Sequence, residues 1–69
     1  MKRYEILEEI EVTSRIHGEV KGYFVFDNLF ETYLFRFYKV GSENPIMFIS
    51  GDSNKARAKL LFDMTAERI

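Results

Sequence analysis

The chain has no cysteine, no tryptophan, one proline and one histidine in 69 residues. Without cysteine it can form neither a disulfide staple nor a thiolate zinc site, and a single imidazole cannot build a His-rich metal centre. No apolar run approaches the roughly 20 residues that a membrane-spanning helix needs. Met1-Lys2-Arg3 is followed by an acidic, charged stretch instead of the apolar core of an export signal. These features, with the absence of cysteine, suit a cytoplasmic protein. A charge excess is missing too. Ten bases face eleven acids for a net −1, whereas nucleic-acid-binding domains are usually clearly basic.

Catalytic chemistry needs a nucleophile beside a base, a pair of acids with displaced pKa values, or a metal. His17, beside Gly18, reads as a solvated turn residue. Glu5, Glu8, Glu9 and Glu11 read as the water-facing side of the first element. Asp52-Ser53-Asn54 is too short for a calcium loop, and no glycine-rich phosphate loop occurs. The chain is therefore read as non-enzymatic and without a cofactor.

A chain this short forms one domain, residues 1–69, whose core must work hard against conformational entropy. Seven phenylalanines and four tyrosines supply large buried area per residue. Gly51-Asp52-Ser53-Asn54 combines a turn glycine with capping residues, and a helix is predicted from Lys55 to about Arg68. Ala58, Leu60, Leu61, Phe62 and Met64 give it a broad apolar stripe. Before it, the aromatic run Tyr33 to Val40, the turn Gly41 to Pro45 and the run Ile46 to Ser50 read as a β-hairpin. Val20 to Asp27 reads as another strand.

The first nineteen residues admit two readings. Ile10, Val12, Ser14 and Ile16 alternate with polar neighbours, as in a strand. A loop at His17-Gly18-Glu19 would then set Ile16 opposite Val20, Val12 opposite Phe24 and Ile10 opposite Phe26. Alternatively residues 2–12 form a helix with Ile6, Leu7 and Ile10 inward. The favoured fold class is α+β: an antiparallel sheet of three or four strands, β-β-β-β-α, with the C-terminal helix on one face.

The strands are apolar on both sides. Phe24, Phe26, Tyr33, Phe35 and Phe37 share one face, which the helix should cover together with Ile46 and Phe48. Tyr23, Val25, Leu34, Arg36, Tyr38 and Met47 are expected on the other, with Ile49. An exposed apolar patch with Tyr, Leu, Met and Arg has the composition of an interface. The expectation is a small protein-binding module, an adaptor, inhibitor or regulator that acts sterically on an unidentified protein partner. A homodimer through the same face would satisfy this reading. If the N-terminal segment is a helix, it covers the patch instead.

Charge is uneven along the chain. Residues 1–31 hold four bases and seven acids, −3, and residues 32–69 hold six bases and four acids, +2. Lys55, Arg57 and Lys59 crowd the start of the last helix, where unpaired backbone N–H groups already favour anions. With Ser53 and Asn54 they would suit a phosphate. As a solvated face they would be balanced by Asp52 and Asp63. A hairpin, a glycine turn and a helix opening Asn54-Lys55-Ala56-Arg57-Ala58-Lys59 is loosely similar to the end of a double-stranded-RNA-binding domain, over roughly residues 20–69. That resemblance implies a nucleic-acid-binding alternative through Ser53, Asn54, Lys55, Arg57 and Lys59, and a helix over residues 2–12. The loop Asp27 to Glu31 is acidic and lacks the Gly-Pro-x-His-like signature of that family.

Overall fold

A computed structural model describes residues 2–69, apart from the side chains of residues 48–50. Among these residues there are four strands, β1 (Tyr4–Ser14), β2 (Gly18–Asp27), β3 (Thr32–Lys39) and β4 (Pro45–Asp52), and one helix, α1 (Lys55–Arg68). The strands form an antiparallel sheet in the order β1-β2-β3-β4. Each neighbour in sequence is a neighbour in space, so short turns suffice for every strand connection. The N-terminal segment is a strand, and the helix-first order of the double-stranded-RNA-binding family is not adopted.

Two hairpin turns are organised by buried polar side chains at the ends of strands. Ser14 Oγ accepts hydrogen bonds from the backbone N–H groups of Ile16 and His17 at 3.2 and 3.1 Å. The loop is thus Arg15 to His17, and Gly18 follows it with φ +76°, the left-handed residue that closes a three-residue hairpin loop. This corrects the expected loop at His17-Gly18-Glu19. Val12 stands opposite Val20 and Ile10 opposite Gly22, each four residues along β2 from its predicted partner, and Ile16 is in solvent. Asp27 does the same work at the second turn. Its Oδ1 accepts from Leu29 N–H at 2.9 Å, and its carboxylate takes two bonds of 3.2 Å from Arg3.

The core lies between the sheet and α1. Val20, Phe24, Phe35 and Phe37 project from the sheet onto Ala58 and Phe62, with Ile10, Tyr33, Ile46, Ala66 and Ile69 at its margin. The rings of Phe24, Phe35 and Phe37 stand 5.6, 5.7 and 5.3 Å from that of Phe62, within the range of favourable aromatic pairs. Ala58, Phe62, Ala66 and Ile69 recur at helical spacing, so a narrow stripe is enough to seat the helix. Leu60 is turned away from the sheet and 59% exposed.

β1 carries a bulge at Leu7. The pairing runs Glu8↔Phe24 and then Ile6↔Val25, with Leu7 left unmatched. Side chains alternate along a strand, so one extra residue reverses which face each later residue occupies. Glu8, Ile10 and Val12 therefore share the helix side with Phe24, whereas Ile6 and Tyr4 pass to the opposite side with Val25 and Asp27.

Candidate interaction surface on the uncovered sheet face

The side of the sheet away from α1 is built from residues that pair across the strands. One row runs Glu9, Tyr23 and Arg36; the next toward the chain's start runs Ile6, Val25 and Leu34; beyond it lie Tyr4, Asp27 and Thr32. On the other flank of the first row lie Glu11, Lys21, Tyr38 and Pro45. The face is thus apolar and aromatic at one end and charged at the other.

Of the six residues expected here, the structure brings five together. Tyr23, Val25, Leu34, Arg36 and Tyr38 line a single shallow depression, joined by Tyr4 and Ile6. Val25 and Leu34 are not exposed as expected: they retain 7% and 5% of their accessible surface and form the floor. Larger side chains lie over them. The Arg36 guanidinium sits 5.5 Å from the centroid of the Tyr4 ring, and Tyr23 meets Tyr38 edge to face at 5.9 Å. Arg3 lies 4.9 Å from the other partner of this arrangement, the Tyr4 ring, while holding Asp27. The accessible part of the surface is therefore aromatic and cationic, with Ile6 60% exposed at its rim.

Met47 does not join this group. A bulge in the β3–β4 pairing sets Met47 opposite Phe37 and Tyr38 opposite Pro45. Met47 is 43% exposed, but its register position belongs to the helix side of the sheet. In the backbone register Phe48 pairs with Arg36 and Ile49 with Phe35; the faces expected for these two side chains lie outside the described residues. Tyr4 and Ile6 are the residues that sequence reasoning missed. Their arrival depends on the Leu7 bulge, which period-two patterning does not show.

Charges on this face are only partly matched. Lys21 Nζ lies 3.7 Å from Glu9 and 3.9 Å from Glu11, one cation between two carboxylates. Among the described residues Arg36 has no carboxylate partner and no side-chain hydrogen bond. Asp27, by contrast, is held well below the usual carboxylate range. The Arg3 hydrogen bond is the main cause, with the N–H groups of Leu29 and Phe30 adding to it.

The helix start is arranged differently from what a free phosphate site requires. Asn54 caps α1 by accepting from Arg57 N–H at 3.0 Å, and Asp52 accepts from Asn54 N–H at 2.8 Å. Arg57 forks onto the Asp52 carboxylate at 2.7 and 3.0 Å, and this bond lowers the Asp52 pKa. Lys59 bridges Asp63 at 2.6 Å and Glu8 of β1 at 2.7 Å. These two partners, Asp63 first, raise its pKa. Ser53 and Lys55 are exposed, and Lys55 has no carboxylate partner among the described residues. Three carboxylates thus already occupy two of the three expected cations.

Among the described residues no group of three or more His, Asp or Glu side chains is placed to hold a metal. His17 lies at the β1–β2 turn, where its backbone N–H is taken by Ser14. No helix in the described residues is long and apolar enough to cross a membrane. No protein-family model, curated protein or solved structure matches this chain.

Proposed function

We propose that this chain is a small non-enzymatic protein-binding module that acts through the uncovered face of its sheet. The observation that carries the reading is the uncovered cluster of Tyr4, Ile6, Tyr23, Arg36 and Tyr38 over a floor of Val25 and Leu34. Tyrosine and arginine are the residues that dominate binding energy at protein interfaces, because they give large rigid contact area with a polar end. A buried aliphatic floor beneath them keeps the rings in place before a partner arrives, which lowers the ordering cost of association. The mechanism is steric: the domain occupies a surface of its partner as an adaptor, inhibitor or regulator. A cytoplasmic setting is part of this reading and is supported by the absence of cysteine.

Nucleic acid is the weaker alternative. The uncovered face carries Glu9, Glu11, Glu19 and Asp27 against Arg3, Lys21 and Arg36, so it has no cationic excess to attract phosphates. Arg57 and Lys59 at the helix start are already paired.

A photo-crosslinking residue at position 6, on the face, and one at position 60, on the outer side of α1, test the proposal in a cell extract. Protein adducts from position 6 and none from position 60 are expected. Equal adducts from both positions, or none from position 6, would refute it. Adducts that disappear on nuclease treatment would transfer the function to the alternative. Leu34→Asp is unsuited to this test, because a carboxylate forced into the floor destabilises the fold itself.

A further inference from the structure

We infer that the occupant of the uncovered face is a second copy of this chain, packed sheet against sheet about a two-fold axis that runs along β2. The inference rests on the protein-binding reading of this face and names its partner. It follows from the order of side chains across the strands. In one row Glu9, Tyr23 and Arg36 lie on β1, β2 and β3. A two-fold rotation about β2 keeps the row's height and exchanges β1 with β3. Tyr23 then meets Tyr23 of the second copy, and each Arg36 meets the other copy's Glu9. The next row, Ile6, Val25 and Leu34, is apolar from end to end, so the same rotation lays the exposed Ile6 of each copy over the other copy's depression at the height of its Val25 and Leu34 floor. In the row on the other flank, Tyr38 meets Glu11, whose carboxylate can accept from the phenol, and Lys21 meets Lys21 of the second copy, each cation held between Glu9 and Glu11 of its own chain.

This arrangement resolves the charges that the single chain leaves unbalanced. Glu9 and Glu11 share Lys21 at 3.7 and 3.9 Å, and Arg36 has no carboxylate among the described residues. Pairing each Arg36 with the other copy's Glu9 gives two cations to two anions in each half. An axis between β2 and β3 would set Arg36 opposite Tyr23 instead, and that cation would not be met. Self-complementary faces of this kind are what a two-fold interface requires, and aligned sheets pack about 10 Å apart.

The size is adequate for a modest affinity. The molecule measures 34 × 23 × 15 Å. Overlap of three of the four strands gives roughly 600 Å² per copy and about 1,200 Å² in all, the lower edge for specific interfaces. Self-association in the micromolar range is the expectation.

Sedimentation velocity on purified protein from micromolar to submillimolar concentration tests this. Wild type should pass from monomer to dimer. Glu9→Arg alone and Arg36→Glu alone each set like charges together twice per dimer and should weaken association by at least about tenfold. An equimolar mixture of the two variants restores both opposite-charge contacts and should re-form a dimer. Ile6→Lys, on an exposed position, should also dissociate it without unfolding. A monomeric wild type at every concentration overturns the inference, as does a dimer indifferent to all three variants. A monomeric wild type that still yields foreign-protein adducts from position 6 refutes only the second copy. A monomer without such adducts refutes the binding face itself.

Discussion

Gly22→Ala isolates how tightly the helix side of the sheet is packed. Gly22 lies on β2 between Ile10 and Phe37, and a Cβ placed on it would lie 2.5 and 2.8 Å from two carbons of the Phe37 ring. It would also lie 3.1 Å from Ile10 Cγ1. The ring has no room to retreat, because Phe37 is fully buried and stacked on Phe62. Overpacking of this kind costs about 1–3 kcal/mol. Alanine restricts the unfolded chain more than glycine does, which returns about 0.4–1 kcal/mol. The net loss should be about 1–2 kcal/mol, or roughly 4–16 °C in Tm for a domain of this size. Thermal and urea unfolding followed by circular dichroism would measure it. In a Phe37→Leu background the added methyl has space, so Gly22→Ala should there cost less than in wild type, and the two changes should couple by at least about 0.5 kcal/mol. If Gly22→Ala raises Tm in wild type, or if the cycle is additive, the ring does not press on the strand as described.

Gly18→Val should cost about 1–2 kcal/mol for a different reason: φ is +76° but nothing lies within 4 Å of the added carbon, so the penalty is conformational and no compensating core change should rescue it. Phe62→Ala, which empties the centre of the aromatic cluster, should cost about 3–5 kcal/mol. That is comparable with the roughly 3–10 kcal/mol available to a domain of this length, and the urea midpoint should fall toward zero. Asp27 is ionised in the fold below its ordinary range, chiefly because of Arg3. A depressed carboxylate contributes its stability above the unfolded value, near 3.8, and loses it as pH falls through the lower folded value. Asp27→Asn should therefore flatten the acid limb of a stability profile measured from neutral pH downward, and an unchanged slope would contradict the assignment.

The sequence contained the architecture in its strongest signals. The capping run before Lys55, the aromatic alternation of β3 and the turn chemistry around Pro45 each point to one element. What alternation could not reveal was register. A slip of four residues leaves every side chain on its own face, so the β1–β2 pairing with Val12 on Phe24 and that with Val12 on Val20 look alike from the pattern. The deciding signal was Ser14, a short hydroxyl at a strand end that satisfies the N–H groups two and three residues on. Glycine at 18 was read as the loop's centre when it is the residue after it.

The interaction surface was half legible for the same reason. Tyr23, Val25, Leu34, Arg36 and Tyr38 lie on strands whose pairing is regular through that region, and their parity carries over from sequence to structure. Met47, Tyr4 and Ile6 lie beyond bulges. A bulge has no composition of its own, so a residue past it is assigned to the wrong side by any argument from alternation. Exposure was also overestimated at Val25 and Leu34. A single layer of long side chains, Tyr4, Arg36 and Tyr38, is enough to bury two aliphatic residues on a face that no helix covers.

The unmatched Leu7 also means that the chemistry of this surface depends on counting as much as on identity. Removing that one residue would set Ile6 beside Glu8 in unbroken register and leave Tyr4 and Ile6 on their face, whereas regular pairing with Leu7 retained would set Leu7 opposite Val25, turn Tyr4 and Ile6 toward the helix layer and bring Glu5 outward. The same strand can therefore present either Tyr4 and Ile6 or Glu5 and Leu7 on this surface, according to whether the bulge forms, while the other three strands and the helix keep their places.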